Sequence, residues 1–203
     1  MTNKELDGSL VFGTRSGEAM QSYDYAHRQG IEDINWEQFY QLSQRMAEAV
    51  AARGVDLVVG VARTGLFPAT AVACMLRCEF YPVRVTRRAN DQVVTSHPVW
   101  KVPVPNAVQG QRVAVIDEIA DTGETLALVA EAVRARGAVD VVTACLAAHS
   151  WARPMPDLVA LVSDALVLFP WDRQVYAEGR WGPHPELVAA LGAQGLEPSS
   201  LLS

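Results

Sequence analysis

The chain has 203 residues, half of them apolar and a fifth charged, which indicates one globular domain of ordinary size rather than a disordered chain. Its formal net charge of −6 argues against nucleic acid or an anionic membrane as the main partner. No apolar run approaches the roughly 18 residues that a membrane-spanning helix needs, and the three cysteines lack CxxC spacing, so we expect a cytoplasmic protein.

The first element that the sequence predicts is a helix that begins after Asn35. Asn35 and Gln38 stand at the spacing of a capping box, in which each side chain bonds the backbone amide of the other residue. Apolar residues then recur on one helical face up to Gly54, a residue type that commonly ends helices. Residues 1–34 show no clear period, so we interpret them as an N-terminal extension.

Beyond this helix, strand and helix patterns alternate along the chain. Apolar runs predict strands at residues 56–62, 79–86, 112–116, 141–147 and 165–169. Helical patterns over 66–78 and 124–136 follow the first and the third of these strands. The alternation predicts a single α/β domain with a mostly parallel, doubly wound sheet, in which ligands bind at the carboxyl ends of the strands.

Two segments do not fit this alternation. Residues 87–111 form a connection that is too long for a compact domain, which is typical of a functional lid. Within them, 92–95 and 99–102 are candidates to pair as a small hairpin over the site. Residues 173–203 are interpreted as a C-terminal tail that contains a short helix.

The stretch VAVIDEIADTGETLALV, which starts at Val113, combines features of an anion site and of a sugar site. After the strand, Asp121–Thr125 provides a glycine turn, hydroxyl groups and a helix start, which together favour a phosphate monoester. Asp117 and Glu118 would repel that phosphate, but carboxylates accept hydrogen bonds from vicinal sugar hydroxyls and can face a bound Mg²⁺. The residues therefore predict a phosphorylated sugar with free hydroxyls as the ligand.

This stretch resembles the phosphoribosyl pyrophosphate (PRPP) motif of the type I phosphoribosyltransferases, in which two acids and two apolar residues precede Asp/Thr-Thr/Ala-Gly-x-Thr. The resemblance spans roughly residues 35–172 and is greatest to the enzymes that act on hypoxanthine, guanine or xanthine. It implies that Asp117 and Glu118 hold the ribose, although the second acid is nearly always Asp in the family. It also implies that the 5-phosphate lies in the turn formed by Asp121, Thr122, Gly123, Glu124 and Thr125.

A second loop resembles the pyrophosphate loop of the same family. Arg63-Thr64-Gly65 follows the first of the predicted strands, where family members have a Ser-Arg-Gly-Gly-Leu-like sequence. The resemblance implies that the Arg63 guanidinium and the amides of Thr64 and Gly65 bind pyrophosphate. It also implies a non-proline cis peptide, which here would be the Ala62–Arg63 bond. Taken alone, Arg63 is equally compatible with a solvated turn.

The resemblance also points to the residues around the base. It assigns to Asp121 a proton exchange with ring nitrogen seven, which makes Asp121 the candidate catalytic residue, with a turn-capping role as the alternative. The family's Lys that reads a 6-oxo group is replaced by His149, and its stacking aromatic by Leu166, with Val167 beside it. His149, Leu166 and Val167 are thus the candidate base-binding residues. His149 is also compatible with a surface loop, and Trp151 is a second candidate for stacking.

The reaction that the resemblance implies is a Mg²⁺-dependent transfer from PRPP to a nucleobase, expected to be a 6-oxopurine in purine salvage, with release of pyrophosphate. Asp117, Glu118 and Asp172 are the candidate metal ligands, and a solvated loop is the alternative for Asp172. The alternative function is a PRPP- or nucleotide-binding regulatory protein without catalysis. The missing Lys and aromatic favour that alternative, whereas Asp121 and Arg63 oppose it. We expect a homodimer or a higher homo-oligomer.

Overall fold

A computed structural model describes residues 28, 30–86, 88–89, 92–93 and 99–197 of the chain. Most of the predicted N-terminal extension, part of the predicted lid and the end of the predicted tail lie outside the described residues. The described chain is an α/β fold with a mostly parallel central sheet, which confirms the fold class that the alternating patterns predicted.

The elements in chain order are β1 (Ile31–Asp33), α1 (Trp36–Ala51), β2 (Leu57–Val61), α2 (Leu66–Leu76), β3 (Glu79–Thr86), β4 (Arg88–Ala89), β5 (Gln92–Val93), β6 (Val99–Val102), a 3₁₀ turn (Asn106–Val108), β7 (Arg112–Ala120), α3 (Glu124–Ala135), β8 (Asp140–Ala148), β9 (Leu158–Val162), β10 (Leu166–Leu168), β11 (Gln174–Ala177), β12 (Arg180–Pro183) and α4 (Pro185–Ala193). The central sheet has the strand order β6-β3-β2-β7-β8-β9. Its neighbouring strands are parallel, except that β6 runs antiparallel to β3 at one edge.

Apolar layers cover both faces of the central sheet. Strands β2, β7 and β8 are buried over nearly their whole lengths, because successive side chains point to opposite faces and both faces are covered. On one face, Val59 and Val115 pack with Val129 of α3. On the other face, Val58 and Ile116 pack with the apolar sides of α1 and α2. The sheet is therefore wound on both sides, as predicted.

The capping box at the start of α1 is confirmed. Gln38 N donates to Asn35 Oδ1 at 2.9 Å, and Asn35 N donates to Gln38 Oε1 at 2.8 Å. The apolar face that the period predicted is the buried one, since Leu42, Met46 and Val50 all lie in the core. Helix α1 is thus specified locally at its start and by burial along its length.

The last strand of the sheet differs from the predicted one. Strand β9 occupies this place and pairs with β8, whereas the sequence interpretation assigned no element there. The predicted strand over residues 165–169 exists as β10, but it pairs with β1 in a separate parallel sheet of two strands. Strand β1 in turn lies in the segment that was interpreted as an extension. An apolar run indicates a strand, but the strand with which it pairs depends on contacts between residues that are distant in sequence.

The described residues do not form the predicted hairpin between 92–95 and 99–102. Strand β6 instead joins the edge of the central sheet beside β3, and the short β5 pairs with β4. Val104 and Val108, which follow β6, are buried in the core. The lid role of residues 87–111 stays a prediction, and from Val99 onward the described chain pairs with β3 and packs in the core.

The C-terminal segment adds a small layer beside β10. The predicted short helix is α4, and it is preceded by an antiparallel hairpin of β11 and β12 that the sequence did not predict. Helix α4 buries Leu187 and Leu191 against Leu166 and Leu168. Of the helices in the described ranges, none is both long and apolar enough to cross a membrane.

Candidate active site

The turn between β7 and α3 is supported from behind by the loop that follows β8. Gly123 has a φ of 84°, a left-handed conformation that favours glycine. A Cβ added to Gly123 would lie 2.2 Å from the carbonyl oxygen of Pro154, so no larger residue fits. Arg153 N also donates to the Thr122 carbonyl oxygen at 2.8 Å. Contacts with the loop after β8 therefore hold the turn in place. The other predicted phosphate-binding side chains of the turn are at least partly exposed, namely Asp121, Thr122, Glu124 and Thr125.

Two helices begin on this side of the sheet with glycine as the N-cap. Within the described chain, neither Gly65 at the start of α2 nor Gly123 at the start of α3 supplies a side-chain cap. By contrast, α1 and α4 are capped by the side chains of Asn35 and His184. Because the first amides of a helix need acceptors, α3 presents amide donors and its positive dipole end to a bound anion. In α2, Leu66 N and Phe67 N already donate to the carbonyl oxygens of Arg63 and Thr64, and Pro68 has no N–H, so the start of α2 offers its positive dipole end.

The predicted pyrophosphate loop is in direct contact with the predicted ribose acids. A Cβ added to Gly65 would lie 2.4 Å from Asp117 Oδ1 and 2.5 Å from the Val61 carbonyl oxygen. The Thr64 hydroxyl donates to Glu118 Oε1, and Glu118 N donates to Asp117 Oδ1 at 2.9 Å. Strands β2 and β7 are parallel neighbours, so their carboxyl ends bring the two loops together.

Asp172 adds a third carboxylate to this environment. Burial and the Glu118 carboxylate raise the pKa of Asp172 to about 6, while the Arg63 guanidinium acts to lower it. Burial and Glu118 also raise the pKa of Asp117 well above its ordinary value. The Ala62–Arg63 peptide is cis, as the resemblance implied. Arg63 and the three acids thus influence one another, and negative charge is crowded around the loop.

A Mg²⁺ ion at the predicted metal ligands would have to be shared with a substrate. Among the residues that the structure describes, no group of three or more His, Cys, Asp or Glu side chains is arranged to hold a metal. Asp117, Glu118 and Asp172 therefore do not make a closed protein site. Their crowded negative charge is nevertheless what a cation would relieve, and Mg²⁺ is usually held by one or two carboxylates together with phosphate oxygens and water.

Asp121 lies between two basic side chains. Arg28 Nη2 is 3.5 Å from Asp121 Oδ2, and His149 Nε2 is 3.8 Å from Asp121 Oδ1. The N-cap of α3 is Gly123, so Asp121 does not cap that helix. The Asp121 side chain keeps 31% of its surface exposed, which leaves the carboxylate accessible to a ligand.

His149 is a core residue and not the surface residue that the alternative interpretation described. It is completely buried at the end of β8, and its ring is stacked on Trp151 with a centroid distance of 4.5 Å. His149 Nδ1 lies 2.6 Å from the Ser163 carbonyl oxygen, which can only accept, so Nδ1 carries the proton in this contact. Of the two rings, Trp151 is the one with an exposed surface.

The candidate base-binding residues Leu166 and Val167 both have buried side chains. Leu166 is 1% exposed and packs in the cluster that includes Leu187 of α4. Val167 points to the opposite side and is buried in the cluster that includes Phe169. Alternation along β10 explains both orientations, because consecutive side chains of a strand point to opposite faces. Both side chains therefore pack in the hydrophobic core.

Two features of the site were missed at the level of sequence. Arg28 lies in a segment without periodicity, and nothing in a single sequence connects it to Asp121, which is 93 positions later. The loop that carries Trp151 is held by Asp164, whose carboxylate accepts from Ser150 N at 2.7 Å and from Ser150 Oγ at 2.8 Å. A Ser-Asp pair between two apolar runs is a turn signal, but it does not reveal the partner.

The fold and the site together define a class of protein. It is an α/β domain in which two glycine loops suited to phosphate groups flank paired acids suited to sugar hydroxyls, at the carboxyl ends of neighbouring strands. The family model of the phosphoribosyl transferase domain matches residues 27–178. The chain therefore belongs to the phosphoribosyltransferase family.

Relatives and solved structures agree with this assignment. A xanthine-guanine phosphoribosyltransferase of Nitratidesulfovibrio vulgaris is 29% identical over 149 residues, which are 70% of this chain and 85% of the relative. Another, of Cereibacter sphaeroides, is 28% identical over 155 residues, 72% of this chain and 89% of the relative. The crystal structure of a purine phosphoribosyltransferase from Pyrococcus horikoshii matches with a TM-score of 0.65 at 27% identity, and the match covers 75% of this chain and 100% of that one.

Proposed function

We propose that the protein transfers the 5-phosphoribosyl group of PRPP to a 6-oxopurine and releases pyrophosphate. The observation that carries this proposal is the contact of Gly65 with Asp117, which joins a loop suited to pyrophosphate to acids suited to a ribose. The turn at Gly123, suited to a monoester, follows on the same strand β7. PRPP carries phosphate groups on both sides of a ribose, so it would occupy the pyrophosphate loop, the paired acids and the turn at Gly123 together.

The proposed chemistry assigns one task to each group. The bond between the anomeric carbon and a pyrophosphate oxygen breaks, and its electron pair leaves with the pyrophosphate. A base nitrogen bonds to the same carbon, and the proton on N7 passes to the Asp121 carboxylate. Arg63, the loop of Thr64 and Gly65 and the dipole of α2 stabilise charge on the leaving group, while Asp117 and Glu118 orient the ribose. Mg²⁺, when bound, would polarise the pyrophosphate as a Lewis acid.

The choice of a 6-oxopurine rests on Asp121 and on the relatives. Asp121 is a partly exposed carboxylate, so it is accessible to accept a hydrogen bond from a ring N–H and then its proton. The relatives from N. vulgaris and C. sphaeroides are named xanthine-guanine phosphoribosyltransferases, and the P. horikoshii enzyme is named a purine phosphoribosyltransferase. Both lines favour a purine, and the names of the two xanthine-guanine enzymes favour one that carries an exocyclic oxygen.

The test is a panel assay with the full-length protein. PRPP and Mg²⁺ are combined separately with hypoxanthine, guanine, xanthine, adenine, uracil and orotate, and pyrophosphate release is measured. We expect release with at least one 6-oxopurine. Asp121→Asn should lower kcat by about 100-fold or more while PRPP still binds. Glu131→Gln, which removes an exposed carboxylate on α3, is the matched control and should leave the rate unchanged.

Two results would overturn the proposal in different ways. If calorimetry detects PRPP binding but no base releases pyrophosphate, the protein is a PRPP-binding regulator without catalysis. If a pyrimidine reacts and every purine fails, catalysis stands and the assignment of the base through Asp121 is wrong. An active Asp121→Asn variant would remove Asp121 from the proton transfer.

A further inference from the structure

Asp121 and Arg28 form an acceptor beside a donor at the proposed base site. Arg28 Nη2 is 3.5 Å from Asp121 Oδ2, and the Arg28 side chain is only 8% exposed. Because Asp121 remains partly exposed, a ligand can reach the carboxylate with the guanidinium already beside it. A guanidinium stays protonated and only donates, whereas an ionised carboxylate only accepts. The pair therefore offers two neighbouring groups of opposite hydrogen-bonding character.

A purine offers the complementary pattern on one of its edges. N7 and the substituent on C6 are neighbours on the edge of the ring that faces the major groove in DNA. In a 6-oxopurine with a proton on N7, this edge shows an N–H donor beside an oxygen acceptor. In adenine, the C6 substituent is an amino donor, which would face the donor groups of Arg28. The Asp121–Arg28 pair thus matches an oxopurine and mismatches adenine.

His149 cannot supply the same donor as a neutral ring. Its Nδ1 donates to the Ser163 carbonyl oxygen at 2.6 Å, which leaves Nε2 with a lone pair. Nε2 is buried, and in the described part of the chain it has no hydrogen-bond partner. It faces Asp121 Oδ1, another acceptor, at 3.8 Å. The residue at the position of the family's Lys therefore does not present a donor to an exocyclic oxygen.

We propose that Arg28 determines the specificity for the base, by donating to the oxygen on C6 while Asp121 takes the proton of N7. The inference deepens the proposed function and rests on it. It gives a role to a side chain that precedes β1, in a segment to which the sequence assigned no function. It also explains how an oxopurine can be read without a Lys in the loop after β8.

The test compares Arg28→Ala, Arg28→Lys and Arg28→Gln with the wild-type protein. For the 6-oxopurine that the wild type uses, we expect kcat/KM to fall by about 10- to 100-fold in Arg28→Ala, since a charge-assisted hydrogen bond is lost. The affinity for PRPP should change by less than about twofold and the rate with adenine should not fall, since a donor that faces its amino group is removed, so the preference for oxopurine over adenine collapses. Arg28→Lys, which keeps a charged donor, should restore part of the preference. Arg45→Ala, an exposed Arg on α1, is the matched control.

The pH dependence separates Arg28 from His149. An Arg remains protonated between pH 6 and pH 8, so the wild-type preference for oxopurine over adenine should be constant across this range. A preference that rises as pH falls, and that persists in Arg28→Ala, would assign the contact to His149 and overturn the inference. An unchanged preference at every pH in folded Arg28→Ala or Arg28→Gln would overturn it as well.

A binding measurement distinguishes failure of this inference from failure of the proposed function. Calorimetry with GMP, IMP and AMP needs no turnover. Suppose that the wild type releases no pyrophosphate but binds GMP or IMP more tightly than AMP, and that the Arg28→Gln variant lacks this preference. The catalytic proposal then fails and the role of Arg28 stands. If the wild type is an active enzyme and Arg28→Gln keeps its nucleotide preference, only the role of Arg28 fails.

Discussion

Replacing Gly65 by Ala tests whether the site depends on the contact between the pyrophosphate loop and β7. The added Cβ would lie 2.4 Å from Asp117 Oδ1, 2.5 Å from the Val61 carbonyl oxygen and 2.9 Å from Asp117 Cα, whereas ordinary contacts begin at 3.4 Å. The shortest of these is an overlap of about 1 Å, and two of the three atoms belong to the backbone, so a rotamer change cannot relieve all of it. The loop or the strand must therefore shift.

We expect the shift to weaken both folding and ligand binding. Overpacking of a tight contact costs about 1–3 kcal/mol, so the free energy of unfolding in urea should fall by that amount in Gly65→Ala. The affinity for PRPP should fall by about tenfold or more, because a displacement of the order of 1 Å misplaces Asp117 and the pyrophosphate loop together. Calorimetry of PRPP binding with Mg²⁺ measures the second effect.

Gly192→Ala is the matched control for this substitution. Gly192 lies in α4, and an added Cβ would meet no heavy atom within 4 Å. Since Ala is a better helix former than Gly, the control should gain about 0.5–1 kcal/mol of stability and bind PRPP as the wild type does. A Gly65→Ala variant that keeps wild-type stability and wild-type PRPP affinity would refute the contact on which the proposed site rests.

Three further predictions concern single side chains of the site. Thr125→Ala removes a proposed phosphate donor and should weaken PRPP binding by about 1.5–3 kcal/mol, and an unchanged affinity in calorimetry would contradict the phosphate turn. The raised pKa of Asp172, about 6, means that the native state holds this proton more tightly than the unfolded state, so the stability that the proton contributes is lost as pH rises from about 4 to about 6. The free energy of unfolding of the wild type should therefore fall between pH 5 and pH 7 in Mg²⁺-free buffer, and Asp172→Asn should make this fall smaller by about 1–2 kcal/mol. The exposed Glu131→Gln is the control and should leave the fall unchanged. Equal pH profiles of wild type and Asp172→Asn would count against the burial of Asp172. His149→Ala should lose about 2–4 kcal/mol of stability because it empties a buried, stacked position, whereas a loss within about 0.5 kcal/mol in urea unfolding is what a surface His would give.

The elements that the sequence predicted well are those encoded by neighbouring residues. The capping box of Asn35 and Gln38 needs only four positions, and both of its hydrogen bonds are present. The strand, the glycine turn and the helix around Gly123 form one continuous stretch, so their order and the direction of the helix follow from local pattern alone. The burial of β2 on both faces was also predictable from neighbouring residues, because its apolar residues follow one another without alternating with polar ones.

Pairing and burial of the remaining elements depend on contacts that a local pattern does not contain. The run at β10 was recognised as a strand, but its pairing with β1 joins residues more than 130 positions apart, from Ile31 to Leu166. Helix α4 then covers Leu166, so a residue that resemblance assigned to the base became part of the core. His149 was seen as a loop residue because the sequence shows neither Ser163 nor Trp151 beside it.

The paired acids explain why a turn suited to phosphate does not select phosphate alone. Strand β7 continues through Asp117 and Glu118 to Ala120, so the sheet fixes the backbone of both acids beside the turn. Their negative charge is already unfavourable without a ligand, since burial and mutual repulsion raise the pKa of Asp117. A bare phosphate would add negative charge and bring few donors, which worsens this balance. A ribose brings hydroxyl donors to the carboxylates, and an accompanying Mg²⁺ brings positive charge, so we expect the complete phosphorylated sugar to bind where its phosphate alone is disfavoured.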